Sequence, residues 1–224
     1  PPTRLDLWAL QDRPSQAFLD MWLGKAQEVI DRYQPDLLYL DYALKYIQEH
    51  YKRQLLAYYY NRAEEWGKEV VVTYKWHDEW HDLVPGSAVV DLELGRSSEL
   101  SYNDWLTDTT VDDGRGWAYL KETKYKSVSV LVHHLVDNVS KNGHLLLNVG
   151  PKPNGEIPDE ARQILLAIGG WLDVNGEAIY GTTPWVTYGE GPTQMARSGP
   201  FCEDQEITYT AEDVRFTVKG DVLY

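Results

Sequence analysis

The sequence predicts an α/β fold in which parallel strands alternate with helices, followed by a short antiparallel β extension. Several short runs are apolar at almost every residue, as in strands that are buried on both faces. Between them lie longer stretches whose apolar residues recur at helical spacing. Beyond Tyr180, apolar and polar residues alternate instead. These patterns indicate a parallel sheet covered by helices, as in a barrel or a doubly wound fold, with a different β structure at the end.

Caps, prolines and glycines delimit the elements in the first part of the chain. Ser15 is placed to cap a helix that extends to Tyr33, and Pro35 prevents its continuation. Gly67 is placed to end a second helix. The predicted elements are the helix capped by Ser15, a strand over 36–41, a helix over about 45–66 and a strand over 69–75.

The same alternation continues in the second part of the chain. Asn-Gly pairs follow two helical stretches, where they are typical terminators. The predicted elements are a strand over 87–93, a loop over 97–116 with a possible short strand at 105–109, a helix over about 125–141, a strand over 144–149, a helix over 159–174, and antiparallel strands over 206–210 and 214–224 with a hairpin turn at 219–221.

Composition excludes several classes of protein. The chain has 224 residues, of which 43% are hydrophobic, and no apolar run is long enough for a membrane span. Its formal net charge of −14 repels phosphate backbones and anionic lipids, so we expect neither nucleic acid nor membrane partners. The single cysteine, Cys202, excludes an internal disulfide and a cysteine-rich metal site. Nine Trp and sixteen Tyr suit stacking on sugars as well as core packing.

Polar residues that carry chemistry follow three of the predicted strands. Asp41 closes the first, Lys75–His77 close the second, and Asp91 with Glu93 close the third. In parallel α/β folds the carboxyl ends of strands hold the catalytic groups. Glycosidic bond cleavage needs two carboxylates, one to attack and one to protonate the departing oxygen. The pattern is therefore compatible with a glycoside hydrolase.

Structural roles account for the same residues equally well. A strand-terminal aspartate such as Asp41 is often a turn former. Asp91 is more readily explained as an ion-pair or loop-orienting residue, and Lys75 as an ion-pair partner of buried carboxylates. The pair His133–His134 is not a metal site by this reasoning, because adjacent helical residues point in different directions. The residues alone leave these alternatives open.

Longer motifs make the sequence similar to one known family. The chain resembles the retaining α-L-fucosidases of glycoside hydrolase family 29 from about residue 15 onward. The motifs that carry the resemblance are Lys141–Pro158, Gly170–Trp185, the strand Gln34–Asp41, Val90–Gly95, Trp105–Thr109 and Trp117–Tyr119.

The resemblance implies a set of site residues and no cofactor or metal. Asp41 is expected to be the nucleophile that forms the covalent glycosyl-enzyme. Glu93 is expected to be the acid/base, with Glu99 as the alternative, because this group lies on a variable loop in the family. The resemblance further suggests that Trp76, Trp105 or Trp117 forms an apolar wall for fucose and that Lys75 and His77 donate hydrogen bonds to it.

The chain departs from the family pattern next to both carboxylates. Tyr42 follows Asp41, where the family commonly has glycine, so the local loop is expected to have a different shape. Leu94 stands where an arginine usually follows the glutamate.

The resemblance also implies that only part of the family's architecture is present. Members carry a half-barrel before the nucleophile strand and usually a complete C-terminal β-sandwich. We therefore expect the second half of a TIM-type (β/α) barrel over 1–180, as a partial catalytic domain, and the start of the sandwich-like region over 181–224. A half-barrel exposes strand edges and an apolar interior, so we expect a homo-oligomer that completes it.

The resulting hypothesis is a retaining exo-α-L-fucosidase that acts on fucosylated glycans or glycosides. Two alternatives stay open: a catalytically inactive carbohydrate-binding or structural remnant of such an enzyme, and a fragment of a longer gene product. The first residues lack the pattern of a signal peptide, which leaves both cytoplasmic and secreted locations possible.

Overall fold

The computed structural model describes residues 14–76, 82–113, 116–203 and 207–224. The chain divides into two compact units, Pro1–Val89 and Val90–Tyr224. Among the described residues, no helix combines the length and the apolarity that crossing a membrane requires.

In its described residues, the first unit contains two α-helices and two strands. They are α1 (Gln16–Tyr33), β1 (Leu37–Leu40), α2 (Glu49–Trp66) and β2 (Val71–Lys75). The two strands are parallel, with Leu37 opposite Val71 and Leu40 opposite Tyr74. As predicted, Ser15 caps the first helix by accepting a hydrogen bond from the Phe18 amide, and Gly67 ends the second with φ of 62°.

The core of the first unit lies between these helices and strands. Its fully or almost fully buried side chains are Leu19, Ile30, Leu55, Tyr59, Val72 and Tyr74. The Tyr59 hydroxyl donates to the Pro35 carbonyl at 2.7 Å, which satisfies a polar group inside this core. The second helix begins later than predicted, because a short 3₁₀ turn at Leu44–Tyr46, entered from Ala43 with φ of 82°, comes first.

The second unit continues the parallel pattern. It contains β4 (Trp105–Thr110), α3 (Val128–Ser140), β5 (Gly143–Asn148) and α4 (Asp159–Asn175), preceded by β3 (Val89–Asp91). Strand β4 is parallel to both β3 and β5 and is buried along its whole length. The short strand predicted at 105–109 is therefore a central strand.

An antiparallel sheet of three strands follows. It consists of β6 (Thr183–Glu190), β7 (Val214–Lys219) and β8 (Val222–Leu223), in that order, and its first two strands pack against α3. The hairpin predicted at 219–221 joins β7 to β8. The predicted strand over 206–210 is wrong for its described residues, 207–210, which form no strand. Strand β6 was missed although it contains strand-favouring Trp, Val, Thr and Tyr residues, because its Pro and Gly residues are poor strand signals.

The predicted fold class is confirmed, because parallel strands alternate with helices and an antiparallel β extension follows. Strand direction changes near the proposed boundary at residue 180, since β6 begins at Thr183. The assignment of 1–180 and 181–224 to two domains stays a prediction.

Candidate active site

In the first unit, the structure brings together two of the residues predicted for the site. Asp41 directly follows β1 and is exposed to solvent. Lys75 is the last residue of β2, and its side chain is buried. Because Leu40 pairs with Tyr74, the next residues on the two strands, Asp41 and Lys75, leave the sheet side by side.

The neighbours of this pair are aromatic. The Lys75 ammonium lies 5.7 Å from the centre of the Tyr39 ring, a distance at which a cation is attracted to the ring face. Trp76 follows Lys75 and is half-buried, so part of its indole stays accessible. His77, which we expected to donate a hydrogen bond to the sugar, lies outside the described residues.

In the second unit, the residues after β3 continue alongside β4. The Leu92 and Leu94 amides donate to the carbonyls of Leu106 and Asp108 at 2.8 and 3.0 Å. Asp91 is completely buried, and its carboxylate accepts a hydrogen bond from the Asp108 amide at 3.0 Å. Asp91 therefore serves as a buried hydrogen-bond acceptor for the backbone of β4.

A tight turn after Glu93 is possible only with glycine at position 95. A Cβ on Gly95 would lie 2.6 Å from the Gly199 carbonyl oxygen and 2.7 Å from the Leu92 carbonyl oxygen, closer than real Cβ atoms approach. The Thr107 hydroxyl accepts from the Gly95 amide and donates to the Leu92 carbonyl. Leu94 has φ of 45°, in the left-handed region. The conformation of the Glu93 segment is thus set by the surrounding backbone.

A segment from the far end of the chain, residues 199–203, binds this turn. The Phe201 amide donates to the Glu93 carbonyl at 2.7 Å, and the Glu203 amide donates to the Leu94 carbonyl at 2.8 Å. Two further hydrogen bonds join the Arg96 and Gly199 backbones in both directions, at 3.1 and 2.7 Å. The 199–203 segment is therefore held against residues 93–96 by backbone hydrogen bonds, with an isolated antiparallel bridge between Arg96 and Gly199.

The Glu93 side chain faces a cavity of about 260 Å³. Residues from the turn, from the end of β4 and from the 199–203 segment surround it. The lining residues are Glu93, Leu94, Thr110, Asp112, Asp113, Lys126, Phe201 and Glu203. Carboxylates, a hydroxyl, an ammonium group and an aromatic ring are thus available to a polar ligand with apolar faces, such as a sugar.

Two of the lining residues, Lys126 and Glu203, belong to a largely buried ionic cluster. The Lys126 ammonium and the Thr109 hydroxyl both contact the Glu203 carboxylate at 2.7 Å. His134 is fully buried, with its Nδ1 3.6 Å from Glu203. Burial, and then the nearby charges of Arg96 and Lys126, lower the pKa of His134 well below its usual value. The histidine is therefore neutral.

Glu99 lies in a different part of the second unit. Its side chain is exposed, and its backbone is held by the Ser97 hydroxyl, which accepts from the Glu99 amide and donates to the Glu99 carbonyl. Two residues later, the Ser101 amide donates to the Lys141 carbonyl at 3.2 Å. Since Lys141 precedes β5, the chain at Glu99 is already returning to the amino ends of the strands.

Two of the tryptophans that we expected to form the sugar-binding wall, Trp105 and Trp117, lie at opposite ends of the strands. Trp105 begins β4, is 3% exposed, and donates from its indole nitrogen to the Lys141 carbonyl at 3.0 Å. Its ring lies against Gly143, where a Cβ would be 2.4 Å away. Trp105 therefore packs the amino ends of the strands, and we do not include it in the proposed sugar site.

Trp117 lies at the opposite, carboxyl end of the strands. It is 39% exposed, and its carbonyl accepts a hydrogen bond from the Asn148 side chain at 3.1 Å. Asn148 is the last residue of β5. Trp117 therefore stays a candidate for the wall. Among the described residues, no group of His, Cys, Asp and Glu side chains is arranged to hold a metal ion.

Comparison with known proteins establishes the family. The sequence model described as Alpha-L-fucosidase matches residues 4–177. The chain belongs to the α-L-fucosidase family.

Individual relatives match over much of this chain but over a smaller part of their own length. Tissue α-L-fucosidase of Bos taurus is 32% identical over 162 residues, which are 70% of this chain and 34% of the relative. α-L-Fucosidase of Dictyostelium discoideum is 29% identical over 174 residues, 76% of this chain and 37% of the relative. This chain therefore spans little more than a third of these two fucosidases.

A solved fucosidase structure has a similar fold. The crystal structure of Thermotoga maritima α-fucosidase in complex with fucose is 32% identical, with a TM-score of 0.64. The similarity covers 92% of this chain and 41% of that chain. The match to part of a larger fucosidase agrees with the expectation that only part of the family's architecture is present.

The sequence did not indicate that the 199–203 segment reaches the Glu93 turn of this family member. About a hundred residues separate the two, and no periodicity connects them. The single local signal for this contact was Gly95, two residues after Glu93, since a glycine often marks a close approach of another backbone. Lys126 and Glu203 were missed for the same reason, because their pairing depends on tertiary structure.

Proposed function

We propose that the protein is a retaining, exo-acting α-L-fucosidase that hydrolyses terminal α-L-fucosides of glycans or glycosides. The observation that carries this proposal is the position of Asp41, directly after β1 and beside Lys75, in a chain of the α-L-fucosidase family. The Thermotoga relative, which binds fucose in its crystal structure, supports fucose as the sugar. The Asp41 carboxylate is exposed and therefore accessible to a substrate.

The proposed reaction has two displacement steps. In the first, a carboxylate oxygen of Asp41 forms a bond to the anomeric carbon, the glycosidic bond breaks, and Glu93 gives its proton to the leaving oxygen. In the second, Glu93 takes a proton from a water molecule, whose oxygen attacks the same carbon and releases Asp41. Two inversions leave the configuration of fucose unchanged.

Four further residues have proposed supporting roles. The Lys75 ammonium favours a negatively charged neighbour and can donate to a sugar hydroxyl. His77 is proposed as a second donor, and Trp76 and Trp117 offer apolar surface for the methyl group of fucose. No step of this reaction requires a metal or a cofactor.

Two features support Glu93 over Glu99 as the acid/base. Glu93 lines a cavity of about 260 Å³, two residues beyond the end of β3, at the carboxyl side where parallel α/β enzymes place catalytic groups. Glu99 is exposed on the segment that returns to the amino ends. A proton donor also needs a fixed position, and the turn at Gly95 provides one for Glu93.

Alanine variants of the two glutamates distinguish the candidates. We expect Glu93→Ala to lower kcat/KM about 10³-fold on a fucoside with a poor, alkyl leaving group and far less on one with a good, nitrophenyl leaving group, because only the former needs protonation. Glu99→Ala is the matched control and is expected to stay within about twofold on both. The opposite result would assign the acid to Glu99.

Proton NMR of the first product tests the proposed function itself. A retaining enzyme releases α-L-fucose first, before it equilibrates with the β anomer. Release of β-L-fucose would contradict the two-step reaction. Binding of fucose without any turnover would favour the inactive carbohydrate-binding alternative.

We also propose that copies of the chain associate. Strands β1 and β2 expose Leu37 and Val71 at 48% and 41%, and β5 exposes Leu146 at 47%. Apolar side chains on sheet surfaces are usually covered by another element. Light scattering at micromolar concentration is expected to give a mass of at least two chains. A stable, folded monomer would contradict this proposal.

A further inference from the structure

Phe201 combines features that its local packing does not explain. Its side chain is 60% exposed, so it contributes little to a hydrophobic core. Its φ of 55° lies in the left-handed region, which is unfavourable for a bulky residue. Residues held in such a conformation are concentrated at functional sites, where the surrounding structure fixes them.

The residues around Phe201 hold it in this conformation. On one side, Gly199 forms two backbone hydrogen bonds with Arg96, and Cys202, with 3% exposure, is buried next to Phe201. On the other side, the Glu203 carboxylate is anchored by Lys126 and Thr109. The segment is thus anchored on both sides of Phe201, and the Phe201 side chain is exposed to solvent.

The ring shares the cavity with the proposed proton donor. Phe201 and Glu93 both line it, and the Phe201 amide donates to the Glu93 carbonyl at 2.7 Å. The group that protonates the leaving oxygen must lie on the leaving-group side of the scissile bond. An aromatic ring beside that group therefore meets the leaving group and not the fucose.

We propose that Phe201 is the platform on which the leaving-group sugar of the substrate stacks, which makes it a specificity-determining residue. This inference rests on the proposed function. A phenyl ring offers one flat apolar face and no hydrogen bond, so it matches the apolar face of a pyranose. Polar groups on other sides of the cavity, such as Asp113 and Lys126, are available for the hydroxyls of that sugar.

Two substrates that differ in the leaving group test the proposal. The first is a disaccharide in which α-L-fucose is linked to galactose, and the second is α-L-fucosyl fluoride, whose leaving group is too small to reach the ring. Phe201→Ala is expected to lower kcat/KM about tenfold on the disaccharide, and to leave it within about twofold on the fluoride. Phe201→Trp, which keeps an aromatic face, is expected to retain activity on both.

Tyr102→Ala is the matched control, because Tyr102 is 98% exposed and lies just before β4. It is expected to change neither rate. Fluoride hydrolysis by Phe201→Ala also reports that the variant is folded. If Phe201→Ala lowers kcat/KM equally on both substrates, or on neither, the proposal that Phe201 stacks on the leaving-group sugar is wrong while the fucosidase proposal stands. If the unaltered protein hydrolyses neither substrate, the proposed function fails and the platform fails with it.

Discussion

Single residues in this chain have roles that depend on which end of a strand they occupy. Asp41 and Lys75 follow or close neighbouring parallel strands and emerge together. Trp105, in contrast, begins a strand, and its side chain is buried against Gly143. The sequence predicted the first pair because strand ends are visible as changes from apolar to polar residues. It could not show that the Trp105 indole faces a glycine 38 residues later.

Burial of His134 makes the stability of the protein depend on pH. Burial, and then the charges of Arg96, Lys126 and Lys141, lower the pKa of His134 well below 6.5. The unfolded chain therefore binds a proton at a pH at which the folded chain does not. The stabilising effect of the neutral histidine is complete above its unfolded pKa and is lost as the pH falls below it. The Glu203 carboxylate lies 3.6 Å from the His134 Nδ1.

Urea unfolding at two pH values measures this effect. Between about pH 7.5 and about pH 5.5, the free energy of unfolding is expected to fall by about 1 kcal/mol more in the unaltered protein than in His134→Gln. His144→Gln, which replaces an exposed histidine, is expected to behave like the unaltered protein. Equal falls in the unaltered protein and His134→Gln would show that folding does not lower the pKa of His134.

At the scale of elements, helix α3 joins the parallel strands to the antiparallel sheet. Asp137 on this helix accepts from Arg215 of β7 and from Lys141 at the helix end, both at 2.8 Å. The Lys141 and Arg215 charges also lie over the ring of Tyr188 in β6. Burial lowers the pKa of Lys141, and the Asp137 charge opposes that shift. The Asp137 carboxylate thus stabilises the positive charges of Lys141 and Arg215, and these two charges stabilise the carboxylate.

Removal of the Asp137 carboxylate is therefore expected to be costly. Asp137→Ala leaves two positive charges without their buried partner and should lower the free energy of unfolding by about 3 kcal/mol or more. Glu28→Ala is the matched control, because it breaks an ion pair with Arg32 in which both side chains are 64% exposed. It should change stability by less than about 1 kcal/mol. Equal decreases in the free energy of unfolding for Asp137→Ala and Glu28→Ala, measured by chemical denaturation, would contradict a special role for the Asp137 cluster.

The elements that the sequence predicted well are those with continuous apolar runs or clear caps. Strands β1, β2 and β5 and helix α1 belong to this group, since Ser15 and Pro35 mark both ends of α1. The strand predicted over 206–210 was wrong for a different reason. Its alternating residues resemble a strand, but Thr210 instead donates to the Asp213 carboxylate through both its amide and its hydroxyl. Side-chain hydrogen bonds of this kind are not visible in a hydrophobic pattern.

At the scale of the whole molecule, chain segments far apart in sequence build the candidate site. The Glu93 turn is completed by residues 199–203, and both belong to the second unit. A sequence pattern reports local preference and burial, so it could suggest Glu93 but not the segment that binds it. The family resemblance supplied the reaction and the preference for Glu93 over Glu99, whereas the structure adds the cavity that Glu93 lines and the contact with Phe201 on which our proposal for that residue rests.

The central claim is that Asp41 is the nucleophile, and covalent labelling tests it most directly. The protein is incubated with 2-fluoro-fucosyl fluoride, which forms a slowly hydrolysed glycosyl-enzyme, and is then digested and examined by mass spectrometry. The account predicts one fucosyl label on the peptide that contains Asp41 and no label in Asp41→Ala. A label on another carboxylate, or full fucosidase activity in Asp41→Ala, would contradict it.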